Sequence, residues 1–375
     1  MKSKHILFLA SWYPSRISPF NGDFVQRHAR AVALKNQVSV LFIVKDDELE
    51  TNYEIIENQN DVREIIVYYK GGNSILSKFR KFNAFFKGLK IIGKFDLVHL
   101  NVAHPAGIFA LFLKWFKGEK YVLTEHWTVL HSNRFFEFGY FKRLQIKYIL
   151  KNAEIILPVS SDLGKSILKI TGGENFEVIP NVVDVQDFKP NEQKSNQRFV
   201  FLHLSMLSDA HKNISGMLRV AKRLAEEGIE FEFQIGGNGP LDWIDDYIFE
   251  NKLEENIKTF GALSHEEVSV KMAQADCFVL FSNYENQPCV QIEAYASGIP
   301  FIGTDVGGIS EFLPDNFGFL IPKADEQALY DAMLKAIKSK FATPDEMHQY
   351  AVDNFSKEVI SEKYDEIYNQ IISKK

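Results

Sequence analysis

Short apolar runs alternate along the chain with longer segments in which apolar residues recur at helical spacing. Uninterrupted apolar runs of roughly four to eight residues are typical of strands buried on both faces of a parallel sheet. We therefore predict strands at Ile6–Ala10, Val38–Val44, Leu97–Asn101, Tyr121–Thr124 and Ile155–Val159. Helices are predicted between them, at His28–Lys35, Lys78–Ile92, Ile108–Phe116 and Phe135–Leu150. This alternation indicates a parallel sheet with helices on both faces.

The pattern stops at a polar segment and then begins again. Residues 181–198 have no hydrophobic period and contain Pro190, which predicts an interdomain linker. Strands are predicted after it at Phe199–Leu204, Glu230–Ile235, Ile257–Phe260, Cys277–Phe281 and Pro300–Gly303. The predicted helices between them are Ile214–Glu227, Leu241–Asn251, Glu266–Ala273 and Val290–Ala296. Two doubly wound, Rossmann-like α/β domains in tandem are therefore predicted, which suits a length of 375 residues.

Polar residues that directly follow predicted strands are the candidates for a ligand site. Open α/β sheets bind ligands outside the carboxyl ends of their strands. Two such domains are expected to face each other across a cleft formed by those strand ends.

The stretch NYENQPCVQIEAYASGIP places Glu285 and Glu293 eight residues apart, after the predicted strand Cys277–Phe281. Asn286 or Gln287 can cap the following helix, and Pro288 suits its first turn. Ionised carboxylates make strong hydrogen bonds with sugar hydroxyls, and free N–H groups at a helix start attract an anion. The spacing alone favours the simpler alternative, a helix with an acidic first turn and one exposed glutamate.

A diglycine turn, Gly307-Gly308, follows the predicted strand Pro300–Gly303. Two glycines opening onto a helix allow the backbone to approach a phosphate closely. This turn favours the interpretation of Glu285 and Glu293 as ligand-binding residues.

Three further strand ends carry candidates. Gly22 lies in a turn before a predicted helix, where it either closes over a ligand or serves only the turn. His126 follows the strand Tyr121–Thr124, and it is interpreted either as a ligand-binding residue or as a buried structural histidine. His99 and His104 flank another strand end and are weaker acceptor-side candidates.

Lys212 and Asn213 follow the first strand of the second domain and precede a helix. A cation beside free N–H groups can hold a diphosphate. A solvated lysine with Asn213 as N-cap is the alternative. The nearby GGNGP, at Gly236–Pro240, lacks the full GxGxxG spacing and is weak support for dinucleotide binding.

Composition excludes several classes of protein. A hydrophobic content of 46% with 25% charged residues is globular, and a net charge of −6 argues against a nucleic-acid partner. The run Ile6–Ala10 is too short for a signal peptide, and no apolar stretch approaches the roughly 18 residues of a membrane span. Two cysteines without a CxxC motif suggest no disulfide framework, so a cytoplasmic location is expected.

No motif for metal binding or nucleotide hydrolysis is present. The chain has no D-x-D, GxxxxGK[ST], HExxH or GxSxG sequence. We therefore expect no metal and no other cofactor. The charge of a departing diphosphate would then be neutralised by Lys212 and helix N-termini.

Two segments combine basic and aromatic residues, Lys78–Lys94 and Arg134–Tyr148. Such helices suit peripheral contact with the anionic inner face of a cell membrane. They equally suit helices that bury their phenylalanines against the sheet while the lysines remain solvated.

These motifs, taken in order, resemble the retaining nucleotide-sugar glycosyltransferases of family four, which have the GT-B fold. The resemblance rests on Glu285–Glu293 with its E-x7-E spacing, on VIPNVVDVQDF with Val182 where glycine is usual, and on SWYPSRISPFNGDFVQRHA, TEHW, HKN, GALSHEEV and ASGIPFIGTDVGGISE. It spans nearly the whole chain. It implies an acceptor-side domain of residues 1–185 plus 356–375, because the final helix crosses back, and a donor-binding domain of residues 190–355.

The resemblance also implies roles for individual residues. Glu293 would bind the ribose of the nucleotide and Glu285 the hydroxyls of the donor sugar. Lys212 would neutralise the diphosphate with Gly22 nearby, and His126 would contact the donor sugar near the reacting carbon.

One departure from the family pattern is plain. The family usually has Gly-Arg-Leu before the lysine, and here the residues are Ser205, Met206 and Leu207. Charge stabilisation is therefore left to Lys212, with His211 as a second candidate.

The resemblance implies a retaining, metal-independent hexosyltransferase. Its donor would be a nucleotide sugar and its acceptor a saccharide or lipid-linked saccharide of cell-surface polysaccharide or glycolipid biosynthesis. A nucleotide-sugar epimerase of the same fold, and a non-catalytic nucleotide-sugar-binding protein, remain as alternatives.

Overall fold

A computed structural model describes residues 3–72, 75–173, 175–191 and 197–373, without the side chains of residues 132 and 133. The chain divides into two compact units. Unit 1 comprises Met1–Val182 with Lys357–Lys375, and unit 2 comprises Val183–Ser356.

Unit 1 is built on a seven-stranded sheet with the strand order β3-β4-β2-β1-β5-β6-β7. Its strands are β1 (His5–Ala10), β2 (Gln37–Asp46), β3 (Tyr53–Gln59), β4 (Arg63–Lys70), β5 (Leu97–Asn101), β6 (Tyr121–Glu125) and β7 (Ile156–Pro158). Its helices are α1 (Asp23–Ala33), α2 (Ile75–Ile92), α3 (Gly107–Lys117), α4 (Tyr140–Asn152), α5 (Ser161–Thr171) and α13 (Lys357–Ile372).

The two faces of this sheet have separate cores. Helices α2, α3, α4 and α5 cover one face, where Phe85 of α2 stacks on Phe109 of α3 at 4.4 Å between ring centroids. Helices α1 and α13 cover the other face, and α13 contributes the buried rings of Tyr364 and Tyr368. The last helix of the chain is thus part of the core of unit 1.

Unit 2 has a six-stranded sheet, parallel throughout, with the order β10-β9-β8-β11-β12-β13. Its strands are β8 (Phe199–Met206), β9 (Phe231–Asn238), β10 (Ile257–Phe260), β11 (Cys277–Leu280), β12 (Phe301–Thr304) and β13 (Gly318–Ile321). Its helices are α6 (Asp209–Lys212), α7 (Ile214–Glu226), α8 (Asp242–Glu250), α9 (His265–Gln274), α10 (Cys289–Ala296), α11 (Glu326–Ala336) and α12 (Pro344–Phe355).

Three predictions about elements need correction. The sheet of unit 1 is not purely parallel, because β3 pairs with β4 in antiparallel register. The predicted helix Phe135–Leu150 is two elements, a 3-10 helix at Ser132–Glu137 and α4, which begins after Gly139. The helix predicted at His28–Lys35 already begins at Asp23.

The predicted linker, residues 181–198, is only partly described. Residues 181–191 contain no helix or strand, and residues 192–196 lie outside the described ranges. Val182 and Val183 are both buried, each in the core of a different unit. The backbone passes from one unit to the other between these two valines.

Candidate functional site

The centre of the candidate site in unit 2 is an ion pair between Lys212 and Glu285. Glu285 lies in the loop after β11, and its Oε1 accepts hydrogen bonds from the Lys212 ammonium and, at 2.7 Å, from the Ser282 hydroxyl. The side chains of Lys212 and Glu285 are 18% and 9% exposed. A nearly buried carboxylate and ammonium thus stabilise each other at the carboxyl end of β11.

Lys212 is positioned by the loop that follows β8. It is the last residue of the short helix α6, and Asn213 interrupts the helical path with a left-handed φ of 50°. Asn283 ties this loop to the loop after β11, since its N–H donates to the His211 carbonyl at 2.7 Å and its Nδ2 to the Ala210 carbonyl at 3.2 Å. The loops after β8 and β11 are thereby joined next to the ion pair.

As predicted, Lys212 and Asn213 precede a helix, because α7 begins at Ile214. The short helix α6, which Lys212 ends, was not predicted. Asn213 occupies the N-cap position of α7, but its side chain makes no capping hydrogen bond.

The diglycine turn packs against the loop that carries Glu285. The N–H of Gly308 donates to the Asn286 carbonyl at 2.7 Å. Gly307 has a φ of 58°, and a Cβ there would lie 1.8 Å from the Glu285 carbonyl oxygen. The glycine is thus required for loop packing, whereas its predicted approach to a phosphate stays a prediction.

The element after this turn differs from the expectation. The predicted helix after Gly308 is only a 3-10 helix of three residues, Ser310–Phe312.

Helix α10 begins at Cys289, one residue earlier than the predicted Val290. Pro288 itself is the N-cap, so neither Asn286 nor Gln287 caps the helix, and Pro288 does not lie in its first turn. Asn286, Gln287 and Glu293 are all buried. Within α10 a missed residue, Gln291, donates to the Ile309 carbonyl at 3.0 Å and so fixes the helix to the loop after β12.

Met206 is the last residue of β8, and its side chain is 62% exposed. The N–H of Leu207 donates to the Asn238 carbonyl at 2.9 Å. Gly237 has a φ of 135°, and a Cβ there would lie 1.8 Å from the Ser205 carbonyl oxygen. The GGNGP segment therefore packs against residues 205–207. This packing accounts for a glycine at position 237, so the glycine need not indicate a dinucleotide site.

In unit 1, Glu125 and His126 end β6. Glu125 is fully buried, and its carboxylate accepts N–H hydrogen bonds from Ala103 at 2.8 Å and from His126 and Trp127 at 2.9 Å. Burial raises the pKa of Glu125 to about 7, while the three N–H donors act in the opposite direction. Glu125 thereby holds the backbone of the predicted site residue next to it.

His126 packs among aromatic rings of helix α1. Its ring lies 4.4 Å from Phe24 and 5.2 Å from His28, measured between centroids. Burial lowers the pKa of His126 well below its usual value, with further lowering from His28 and His99. The imidazole is therefore neutral at pH 7.

Gly22 lies at the start of α1, close to the predicted residue His126. It is the N-cap of α1 with a φ of 79°, and a Cβ there would lie 2.5 Å from the Trp12 carbonyl carbon. Phe24, two residues later, contacts His126. The structure thus brings together the regions of Gly22 and His126.

His99 is a structural residue and not a strand-end candidate. It is fully buried within β5, with Nδ1 2.6 Å from the Tyr368 hydroxyl and Nε2 2.7 Å from the Thr124 hydroxyl. The Tyr364 hydroxyl lies 3.0 Å from that of Thr124 and 2.9 Å from Nδ1 of His28. This network attaches α13 to β5, β6 and α1 within unit 1. His104 stacks on the Trp127 ring at 6.0 Å.

Besides Gln291, two residues near the site were not predicted from the sequence, Ser282 and Glu125. Ser282 carries no sequence signal, because a hydroxyl three residues before a carboxylate is common in loops. Glu125 could have been found from its position next to His126 at the end of a buried strand. In the described part of the chain, no group of three or more His, Cys, Asp or Glu side chains is arranged to hold a metal ion.

Comparison with known proteins assigns the family. Residues 184–354 match the family described as glycosyl transferases group 1, and residues 24–187 match Glycosyltransferase Family 4. The chain belongs to these family four glycosyltransferases.

Among curated proteins, the chain is 28% identical over 234 residues to EpsF of Bacillus subtilis (strain 168), which is named as a glycosyltransferase, with 58% of this chain and 59% of EpsF covered. It is 26% identical over 203 residues to a phosphatidylinositol N-acetylglucosaminyltransferase subunit of Homo sapiens, with 53% of this chain and 42% of that protein covered. The chain thus spans about half the length of these curated relatives.

Two solved structures show the fold. A sucrose-phosphate synthase from Thermosynechococcus elongatus matches with a TM-score of 0.81 and 19% identity, covering 99% of this chain and 100% of that chain. HepE of Anabaena in complex with UDP-glucose matches with a TM-score of 0.74 and 18% identity, covering 98% of this chain and 100% of that chain. The predicted GT-B fold class is confirmed.

Proposed function

We propose that this chain transfers a sugar from a nucleoside diphosphate sugar to an acceptor hydroxyl, with retention of anomeric configuration and without a metal ion. The observation that carries the proposal is the ion pair of Lys212 and Glu285 at the carboxyl end of β11. It provides an ammonium for a diphosphate beside a carboxylate for sugar hydroxyls, which are the two chemistries that such a donor requires.

The ion pair keeps Lys212 in position before the donor binds. A carboxylate offers about four acceptor sites, so Glu285 can hold Lys212 and Ser282 and still accept a hydroxyl of the sugar. A diphosphate bound beside Lys212 would share the ammonium. Glu293, buried in α10, is proposed to bind the ribose, and the N-terminus of α10 adds a partial positive charge.

The transfer breaks the bond between the anomeric carbon and the diphosphate oxygen and forms a bond from that carbon to the acceptor oxygen on the same face. The acceptor proton passes to the departing diphosphate. Lys212 stabilises the negative charge that develops on this leaving group. His126, neutral because of its burial, would serve as a hydrogen-bonding contact for the sugar and not as a cation.

The comparisons support the class of donor and acceptor. The similar HepE structures contain UDP, UDP and glucose, or UDP-glucose. The similar proteins include TuaC of Bacillus subtilis, which is named for teichuronic acid biosynthesis, and the human phosphatidylinositol N-acetylglucosaminyltransferase subunit. We therefore propose a role in cell-surface polysaccharide or glycolipid biosynthesis.

Met206 favours a second candidate, a protein that binds a nucleotide sugar without turning it over. Its exposed thioether stands where the family usually has an arginine that assists the diphosphate. A thioether cannot neutralise a phosphate, so the loss would weaken catalysis more than binding.

A turnover assay distinguishes the proposed transferase from a non-catalytic binding protein and from an epimerase. The purified chain is incubated with UDP-glucose, UDP-N-acetylglucosamine or GDP-mannose and a panel of alkyl glycosides and phosphatidylinositol, with and without EDTA. We expect release of nucleoside diphosphate, and a product with the donor's anomeric configuration by NMR, in both conditions. Binding without turnover supports the second candidate. Epimerised donor in the absence of acceptor supports an epimerase, and loss of activity in EDTA excludes the metal-free mechanism.

A further inference from the structure

One face of unit 1 exposes aromatic and basic side chains together. On α2, α3, α4 and the preceding 3-10 helix, the exposed apolar side chains are Ile75, Leu76, Phe79, Phe86, Trp115, Phe116, Phe136, Tyr140, Phe141, Leu144 and Tyr148. We name this set, with the basic residues of the same helices, the aromatic-basic face. Exposed apolar patches of this kind mark interaction surfaces.

The aromatic-basic face continues from helix to helix through ring contacts. Phe86 of α2 lies 5.2 Å from Phe112 of α3, and Phe112 stacks on Phe116 at 4.9 Å. Trp115 of α3 lies 5.4 Å from Tyr148 of α4. All three helices pack on the same side of the sheet, so the exposed rings form one surface.

The charge of these helices is of one sign. Helix α2 carries five lysines or arginines, α3 two and α4 four, and none of the three contains an aspartate or glutamate. The whole chain has a net charge of −6, so the positive charge is segregated on this face. Two acidic residues lie beside these helices in sequence: Glu154 pairs with Lys114 at 3.0 Å, and Glu137 follows Phe136.

A cavity lies at the edge of this face. Its volume is about 800 Å³, and its lining includes Phe86 of the aromatic-basic face and the lysines Lys90, Lys94 and Lys117. Asp96 and Glu119 also line it, and the Asp96 carboxylate accepts the His5 N–H at 2.8 Å. Lysines outnumber acids in a cavity that adjoins exposed rings, which suits a phosphate headgroup.

We propose that the aromatic-basic face docks on an anionic lipid bilayer. Aromatic rings insert at the level of the headgroups, while the long lysine and arginine side chains reach the lipid phosphates. The positive charge of the aromatic-basic face favours an anionic bilayer over a protein partner, since such a protein would have to be strongly acidic as well as apolar. Among the described residues, no helix is long and apolar enough to cross a membrane. The proposal does not depend on the proposed transferase activity.

Vesicle co-sedimentation tests the proposal. The probe is a vesicle of phosphatidylcholine with about 30% phosphatidylglycerol, compared with pure phosphatidylcholine. We expect binding to the anionic vesicles that weakens as salt rises from 0.1 to 0.5 M, and little binding to the neutral ones. Equal binding to both compositions would overturn the proposal.

Two sets of variants distinguish the contribution of lysine charge to vesicle binding from that of aromatic insertion into the bilayer. The triple variant Lys90→Glu, Lys117→Glu and Lys151→Glu is expected to lower the partition coefficient by at least about 100-fold, at about fivefold for each charge removed. Phe116→Ser with Phe141→Ser is expected to lower it by at least about tenfold. These phenylalanines are 73% and 85% exposed, so the fold should tolerate both changes.

Matched controls come from unit 2. Phe249→Ser removes a phenylalanine that is 75% exposed on α8, and Lys189→Glu, Lys338→Glu and Lys340→Glu reverse three exposed lysines. Controls that bind vesicles as weakly as the test variants would overturn the proposal. The proposal would also be overturned if the chain did not bind vesicles and instead dimerised through this face. Sedimentation velocity would then show a dimer for the wild type and a monomer for Phe141→Ser. A failed donor-binding assay would leave the vesicle result unchanged.

Discussion

Lys212 and Glu285 form an ion pair although 73 residues separate them in sequence. Both side chains are largely buried, and removing one partner leaves the other charge without compensation. The pair therefore links the stability of unit 2 to the proposed binding of a diphosphate beside Lys212. Substitution of either residue should change both properties.

Replacing Glu285 by glutamine removes the charge and keeps the size of the side chain. We expect nucleoside diphosphate release to fall by about 100-fold, or roughly 2.7 kcal/mol, since a neutral amide is a weaker acceptor for sugar hydroxyls and for Lys212. Steady-state kinetics with the preferred donor measure the change. Glu250→Gln, at an exposed site on α8, is the control and should leave the rate unchanged. Equal rates for the two variants would contradict the assignment.

An arginine at position 206 should restore charge beside the diphosphate. The Met206 side chain is 62% exposed at the end of β8, so a longer side chain has room there. For Met206→Arg we expect donor KM to fall about fivefold, from a partly exposed charge-assisted hydrogen bond of about 1 kcal/mol. Met206→Leu controls for loss of the thioether. An unchanged or higher KM in Met206→Arg would show that this position lies away from the donor.

Gly307 should tolerate no side chain. Gly307→Ala places a methyl group at a φ of 58° and 1.8 Å from the Glu285 carbonyl oxygen, so the loop that carries Glu285 must move. We expect the free energy of unfolding of unit 2 to fall by roughly 2 kcal/mol or more, with loss of donor binding. Gly261→Ala is the control, because a Cβ there meets no atom within 4 Å. Wild-type stability and donor binding in Gly307→Ala would refute the packing role.

Acid should destabilise unit 1 through His28. Burial lowers the pKa of His28 to about 4, against 6.5 in the unfolded chain, so below pH 6.5 the unfolded state binds the proton more readily. Stability is lost as the pH falls from 6.5 towards 4, by about 1.36 kcal/mol for each pH unit from this residue. In His28→Gln we expect the pH slope of the unfolding free energy to decrease by about that amount. Urea titrations followed by tryptophan fluorescence measure it.

Glu125 should act in the opposite direction. Its pKa is raised to about 7 from 4.5, so its contribution to stability is fully present below pH 4.5 and is lost as the pH rises through 7. Glu125→Gln removes this contribution, and we expect stability to fall more steeply between pH 7 and 4.5 than in the wild type. Glu137→Gln, an exposed residue, should leave the slope unchanged. A flatter slope in Glu125→Gln would contradict the buried, raised pKa.

The sequence predicted the described strands except β3, β4 and β13, of which β4 is a central strand that is buried along most of its length. Strands such as β5 and β6 are buried along their whole length, so their apolar runs carry the signal. Strand β3 (YEIIENQ) is an edge strand with four exposed residues among its seven, and polar edges give no such run. Strand β13 (GFLI) was also missed, and its two middle residues, Phe319 and Leu320, are not fully buried.

The candidate site was also only partly predictable from the sequence. Lys212 and Glu285 were identified separately by their positions after strands, but their contact depends on the register of β8 beside β11. The position of Pro288 as N-cap was missed because proline is also frequent in the first helical turn. The role of Glu125 depends on the Ala103 N–H from a neighbouring strand end, which no local pattern encodes.

Isothermal titration of the wild-type chain and of Lys212→Ala with UDP-glucose, UDP-N-acetylglucosamine and GDP-mannose, in the presence of EDTA, tests the central claim most directly. We predict that the wild type binds at least one of these donors and that Lys212→Ala binds it at least about tenfold more weakly, because one charge-assisted contact of about 1.5 kcal/mol or more is lost. Lys222→Ala, at a lysine on α7, should bind like the wild type. Wild-type affinity in Lys212→Ala, or no binding of any of the three donors by the wild-type chain, would contradict the account.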